Sequence, residues 1–123
     1  MALTADILRG YTETIILSRL KDGAGYGYQI NKSISEACGS AFELKEATLY
    51  TAFRRLEEGG LIRSWWGDEQ TGARRRYYAL TPAGLNRLNA DLANWLSTRE
   101  LMDLLLLGEV PSPTDERKDE DHE

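Results

Sequence analysis

Two groups of side chains in this sequence are suited to binding an anionic polymer. The first is a set of hydroxyl and guanidinium groups: Thr48, Tyr50, Thr51, Arg54 and Arg55. The second is the cluster Arg74-Arg75-Arg76, which follows a polar segment that contains glycine. Hydroxyl groups and arginines are the side chains that read base edges and hold phosphates. The pattern therefore indicates nucleic-acid recognition.

The sequence lacks the side chains that most catalytic and metal sites need. It contains one cysteine and one histidine, whereas Cys/His metal centres and histidine-based triads need several such groups. Adjacent Glu57 and Glu58 point about 100° apart on a helix, so they do not converge as an acid–base pair. The glycines of residues 23–27 lack the spacing of a phosphate-binding loop. We predict no enzyme activity, no metal and no cofactor.

Charge is distributed unevenly along the chain. The formal net charge is −5, but residues 109–123 alone hold seven acids against two bases. Residues 1–108 are therefore neutral overall, and the net charge does not argue against binding nucleic acid. The acidic segment contains two prolines and no hydrophobic periodicity, so we predict a disordered acidic tail over 109–123.

Neither a membrane span nor a secretory signal is evident. The apolar run of residues 104–107 is far shorter than the roughly 18 residues that a span needs. Residues 1–10 include Asp6 and lack the apolar block of about 7 to 15 residues found in a signal peptide. We therefore predict a cytoplasmic protein with no membrane partner.

Helical periodicity predicts three helices in the first half of the chain, over residues 4–21, 27–37 and 46–58. The third helix has an apolar stripe formed by Leu49, Phe53 and Leu56. Thr48, Thr51 and Arg55 recur at the same spacing on another face. Tyr50 fits either a core position or a groove-facing one.

After Gly59-Gly60, the period of the apolar residues changes from 3.6, which is typical of a helix, to two, which is typical of a strand. Residues 61–66 and 74–80 are predicted strands of a β-hairpin with a basic rim. Thr81-Pro82 then begins a final helix that reaches about Leu107. This order predicts a mainly α fold with a small β-hairpin, a winged helix-turn-helix, in which the third helix enters the DNA major groove.

Apolar residues continue along the final helix at alternating spacings of three and four, with Arg99 as the only polar interruption. This seam consists of Leu85, Leu88, Leu92, Trp95, Met102 and Leu106. Such a seam needs a partner, so we predict a homodimer that binds a pseudo-palindromic operator in double-stranded DNA. The predicted domains are a DNA-binding domain over 1–81, a dimerisation helix over 82–108 and the acidic tail over 109–123.

Three segments resemble the PadR family of transcriptional regulators: residues 46–62 (EATLYTAFRRLEEGGLI), 66–69 (WGDE) and 72–84 (GARRRYYALTPAG). Residues 26–30 (YGYQI) match the second-helix signature of that family. The resemblance implies a bacterial winged-helix repressor that dimerises through its C-terminal helix and responds to small molecules. It is greatest to the short branch that contains multidrug-sensing repressors.

The resemblance also implies a ligand pocket at the dimer interface. Trp95 matches the aromatic residue that stacks flat ligands in that branch, and a carboxylate at Glu13 would attract a cationic ligand. The other implied pocket residues are Ile7, Gly10, Thr14 and Leu92. Arg99 stands about one turn after Trp95, where that branch has an acidic residue. This difference argues against a preference for cationic ligands and leaves neutral and anionic aromatic compounds as alternatives. A role of Trp95 in interface packing alone is the alternative.

Together these features predict a sequence-specific DNA-binding transcriptional regulator. We expect a repressor that is released by a flat aromatic or hydrophobic small molecule bound at the dimer interface. The alternative is a winged-helix module that holds a protein partner and does not bind DNA. The basic groups on both the third helix and the wing, which is the predicted hairpin of residues 61–80, favour the first interpretation.

Overall fold

The computed structural model describes residues 8–68 and 72–111, and the predicted acidic tail lies outside these residues from position 112 onward. In chain order, the described part contains a 3-10 turn (Arg9–Tyr11), α1 (Thr12–Arg19), β1 (Gly25–Tyr26), α2 (Gly27–Ala37), α3 (Glu46–Glu58), β2 (Ile62–Trp66), β3 (Arg76–Leu80) and α4 (Pro82–Leu107). The prediction of a mainly α winged-helix fold is confirmed. None of the helices in this part combines the length and hydropathy that a membrane span requires.

The first helix is shorter than predicted. Residues 4–7 of the predicted helix lie outside the described residues, and a 3-10 turn at Arg9–Tyr11 precedes α1. Gly10 lies in the middle of this turn and is a poor helix former, because it loses the most backbone freedom on folding. The bounds predicted for α2 and α3 agree with the structure.

The sheet has three strands, whereas a two-stranded hairpin was predicted. Its order is β1-β3-β2, and both pairings are antiparallel. Tyr26 of β1 and Trp65 of β2 both pair with Tyr77 of β3. A strand of two residues carries no alternating pattern, so β1 is defined only by its partner β3. The second strand of the hairpin also begins two residues later than predicted, at Arg76.

The core lies between the helices and one face of the sheet. Its largest fully buried side chains are Ile16, Leu17, Phe53, Leu56, Ile62 and Leu88. Tyr78 of β3 stacks on Phe53 of α3 with ring centroids 3.9 Å apart. Burial raises the pKa of the Tyr78 hydroxyl above its ordinary value, while the positive charge of Arg76 acts in the opposite direction.

The chain forms two compact units, Met1–Ala90 and Asp91–Glu123, and α4 crosses from one to the other. Leu88 is fully buried in the core of the first unit. The prediction that Leu88 lies in the dimer seam is therefore wrong, because α4 uses this side chain within one chain. Among the described residues of the second unit, none is buried.

The start of α4 is attached to the turn that follows α3. Thr81 caps the helix, since the Gly84 N–H donates to its Oγ1 atom at 3.0 Å, and the Thr81 hydroxyl donates to the Gly60 carbonyl at 2.6 Å. The Thr81 N–H donates to the Leu61 carbonyl at 3.2 Å. A Cβ atom on Gly84 would overlap that same Leu61 carbonyl oxygen. Only glycine allows the two backbones to approach this closely.

Replacing Gly84 by alanine should destabilise the first unit although alanine is the better helix former. Crowding against the Leu61 backbone should lower the free energy of unfolding by about 1 to 3 kcal/mol, the usual range for an overpacked site. Urea denaturation monitored by circular dichroism measures this change. Gly10→Ala is the matched control, because a Cβ atom there meets nothing within 4 Å. Equal stability of the two variants would contradict the close approach.

Candidate nucleic-acid interface

Helix α3 presents a polar face to solvent. Its buried stripe consists of Leu49, Ala52, Phe53 and Leu56. The predicted nucleic-acid residues of this helix are all exposed: Thr48, Tyr50, Thr51, Arg54 and Arg55. A helix turns about 100° per residue, so these five side chains occupy one arc opposite the stripe. They place hydroxyl and guanidinium groups along one exposed side of α3.

Tyr50 lies at the edge of this surface and is partly packed. Its ring meets Phe53 edge-on, with centroids 5.6 Å apart, and about half of the side chain is exposed. A Cβ atom on Gly27 would overlap the Tyr50 hydroxyl. The ring therefore lies against the first turn of α2 and remains partly exposed, and a groove-facing role for Tyr50 stays a prediction.

Two residues in the middle of the exposed arc were not among the predicted nucleic-acid residues, because the prediction selected hydroxyl and guanidinium groups. Ala47, in the first turn of α3, and Glu58, in its last turn, are both exposed. Ala47 has no hydrogen-bonding group, and Glu58 was considered only as a catalytic candidate. A helical wheel drawn opposite the buried stripe would have found both. Ala47 adds a methyl group to this face, and Glu58 places a negative charge at its far end.

The wing arginines lie against aromatic rings. The guanidinium carbons of Arg74 and Arg76 are 5.7 and 5.3 Å from the ring centre of Trp66. The guanidinium carbon of Arg75 is 4.6 Å from the ring centre of Tyr26, on another strand. Arg75 therefore lies on the opposite side of the wing from its two neighbours. Attraction between each cation and the face of a ring restricts the motion of these long side chains.

A row of three aromatic rings stiffens the outer face of the sheet. Tyr77 meets Tyr26 edge-on at 5.6 Å and stacks with Trp65 at 6.1 Å. Arg63 extends the row beyond Trp65, with its guanidinium carbon 4.7 Å from the ring centre. Arg75 lies at the other end, over Tyr26. The base of the wing is thus held by contacts that cross all three strands.

A cavity of about 580 Å³ lies beside α3 and brings two sets of predicted residues together. Gly10 and Glu13, from the predicted ligand pocket, line it. Thr48, Thr51 and Arg55, from the predicted nucleic-acid surface, line it as well. Within the first unit, the two predicted sites are therefore neighbours.

Glu13 is paired with two arginines. Its Oε1 atom accepts a hydrogen bond from Arg87 Nη2 at 3.2 Å. Its Oε2 atom is 3.9 Å from Arg55 Nε. The carboxylate that was predicted to attract a cationic ligand thus already has two positive partners.

The other predicted ligand residues that the structure describes do not line this cavity. Thr14 is partly buried in α1, and Ile7 lies outside the described residues. Leu92 and Trp95 belong to the second compact unit, where both side chains are exposed. In the part of the chain that the structure describes, no group of His, Cys, Asp or Glu side chains could hold a metal ion.

Comparison with known proteins identifies the family. A family model described as "Transcriptional regulator PadR-like family" matches residues 16–90, from within α1 to the first turns of α4. The chain belongs to the PadR-like family of transcriptional regulators. The match covers every strand of the sheet and all of α3. PadR homologues are transcription regulators and not enzymes, in agreement with the prediction made from the sequence.

Solved structures of transcriptional regulators are similar to large parts of this chain. A transcriptional regulator from Clostridium thermocellum is 39% identical, with a TM-score of 0.78 over 85% of this chain and 99% of that one. A PadR family transcription regulator from Clostridium difficile is 39% identical, with a TM-score of 0.71 over 79% and 99% of the two chains. Bacillus subtilis PadR, solved in complex with operator DNA, is 26% identical, with a TM-score of 0.59 over 65% of this chain and 45% of that one.

Proposed function

We propose that this PadR-family chain is a sequence-specific DNA-binding regulator. The observation that carries the proposal is the single exposed face of α3, which holds the hydroxyl and guanidinium groups of Thr48, Tyr50, Thr51, Arg54 and Arg55 opposite the buried stripe. The wing arginines belong to the same compact unit. The likeness to Bacillus subtilis PadR, which was solved with operator DNA, supports the same function.

In this proposal, α3 and the wing have different tasks. Arg54 and Arg55 have the fork geometry that pairs with guanine O6 and N7 in the major groove, and the Ala47 methyl group suits contact with a thymine methyl. Arg74 and Arg75 contact phosphates of the adjacent backbone and contribute affinity that does not depend on sequence. Sequence preference therefore comes mainly from α3.

We further propose that the chain acts as a homodimer through α4. Apolar side chains of the second unit are exposed, among them Leu96 at 53% and Leu106 at 73%. Exposed apolar area of this extent is rare unless a partner covers it. Compared with the seam predicted from the sequence, the proposed seam omits Leu88 and includes Leu96, which lies on the same face of the helix. Its members are Leu85, Leu92, Trp95, Leu96, Met102 and Leu106. A symmetric dimer presents two copies of α3 to a pseudo-palindromic operator.

The proposed regulation is release of a repressor by a flat aromatic molecule between the Trp95 rings of the two protomers. Such a ligand acts only if it binds more tightly to the dimer geometry that does not fit DNA. Because Arg99 adds a positive charge to α4 about one turn after Trp95, the charge of this helix favours neutral or anionic aromatics over cationic ones.

DNA binding is tested with fluorescence anisotropy on the DNA upstream of the chain's own gene and on random DNA of equal length. Arg74→Ala should weaken binding to both and reduce the slope of log affinity against log salt by about one unit. Arg55→Ala should weaken binding to the operator more than binding to random DNA. Lys21→Ala, in the loop after α1, controls for the loss of one positive charge.

If the wild-type protein leaves both DNAs unbound, the alternative of a protein-interaction module replaces this proposal. If Arg74→Ala changes neither affinity nor slope, the wing has no part in DNA binding.

The dimer is tested by placing charge in the seam. Leu92→Asp together with Leu106→Asp should produce monomers or aggregates, because paired helices would bury four carboxylates in an apolar contact. Sedimentation velocity at micromolar concentration measures the change. Asn94→Asp with Ser97→Asp adds the same charge on the opposite side of α4 and should leave the dimer intact. A monomeric wild-type protein would refute the proposed assembly.

Ligand release is tested with planar dyes of different charge. Such a dye should quench tryptophan fluorescence and release operator DNA, and Trp95→Ala should abolish both effects while DNA binding remains largely intact. Trp65→Phe is the control, since phenylalanine retains an aromatic ring beside Tyr77 and only the fluorophore is lost. Quenching that persists in Trp95→Ala would place the dye at Trp65 or Trp66 and would exclude the proposed pocket.

A further inference from the structure

Glu13 lies where α1, α3 and the beginning of α4 meet. Its carboxylate joins Arg87 of α4, which is 74 positions away in the sequence, to Arg55 on the exposed face of α3. The Glu13 side chain is 29% exposed, whereas that of Arg55 is 69% exposed. Glu13 is therefore largely held within the first unit, while the arginine extends from it into solvent.

The two contacts of Glu13 differ in strength. The 3.2 Å hydrogen bond from Arg87 Nη2 is charge-assisted and holds the carboxylate in place. The 3.9 Å distance to Arg55 is measured to Nε and corresponds to an ion pair without a hydrogen bond. An arginine has two further nitrogens, Nη1 and Nη2, and these make the bidentate contact with guanine. Because the fixed carboxylate attracts Nε, the Nη1 and Nη2 atoms of Arg55 remain available to contact a base.

Glu13 has two opposite effects on the interaction with DNA. Its negative charge lies beside the proposed DNA surface, so by charge alone it weakens binding to any DNA. By restricting the rotamers of Arg55, it reduces the conformational entropy that this long side chain loses when it docks on a base pair. The second effect is significant only where Arg55 meets its correct base. The two effects can therefore be separated by comparing operator with random DNA.

We propose that Glu13 is a positioning residue that sets the sequence preference of Arg55. This inference rests on the DNA-binding function proposed above and extends it to a side chain of α1. Glu13 contributes to operator recognition through the arginine, and Arg87 contributes by holding the carboxylate. The same carboxylate cannot also be the free anion that a cationic ligand would need.

The test compares the wild-type protein with Glu13→Gln, which keeps the shape of the side chain and removes its charge. The ratio of operator affinity to random-DNA affinity should fall about two- to fivefold, which is less than the loss of the whole arginine–guanine pair, because Arg55 itself remains. Affinity for random DNA should stay the same or rise, because one negative charge is lost. Glu13→Asp, which keeps the charge on a shorter stem, should give an intermediate ratio.

Two controls isolate the contact with Arg55. Glu36→Gln removes one negative charge from an exposed site at the end of α2 and should leave the ratio unchanged. In an Arg55→Ala background, Glu13→Gln should cause no further loss of the ratio, because the residue that it positions is gone. Thermal unfolding of each variant verifies that the fold is retained.

Equal changes of affinity for operator and random DNA in Glu13→Gln would overturn the inference. If Glu13→Gln still lowers the ratio of operator affinity to random-DNA affinity in the Arg55→Ala background, the inference is also overturned, since Glu13 would then act through another residue. A wild-type protein that does not distinguish operator from random DNA would instead refute the proposed function, and the inference with it. The wild-type measurement therefore separates the two failures.

Discussion

The stacking of Tyr78 on Phe53 determines how the helices and the wing are related. The two rings lie nearly parallel, 18° apart in plane, and both are buried. Phe53 belongs to the stripe that turns the opposite face of α3 toward solvent. Side chains alternate across a strand, so an inward Tyr78 requires an outward Tyr77. One apolar contact thus gives α3 its exposed face and the sheet its outer row of aromatic rings.

The sequence was sufficient to predict elements whose signals are local. Helix α3 has an apolar stripe of period 3.6 and ends at Gly59-Gly60, where Gly60 adopts a positive φ of 73°. Strand β1 has no local signal, because Gly25 and Tyr26 become a strand only by pairing with Tyr78 and Tyr77 of β3. Glu13 was placed in a ligand pocket for a similar reason, since no local pattern connects α1 with Arg87 or Arg55.

The error at Leu88 has a more general cause. Apolar side chains at spacings of three and four indicate that one face of a helix is covered, but the same spacing serves packing within a chain and packing between chains. Leu88 has the same three- and four-residue spacing as Leu92 and Trp95, yet it is buried in the core of its own unit. Only the position of Leu61 and the tight approach at Gly84 show that the first turns of α4 are already covered.

The two compact units consequently depend on different sources of stability. The first has a core of its own, built from three helices, the sheet and Leu88. The described part of the second has no buried residue and many exposed leucines, so a helix there gains little from packing within one chain. If association covers those leucines, folding at the end of α4 is linked to dimerisation and depends on protein concentration. The geometry of Glu13, Arg87 and Arg55, by contrast, is defined within the first unit and does not depend on that association.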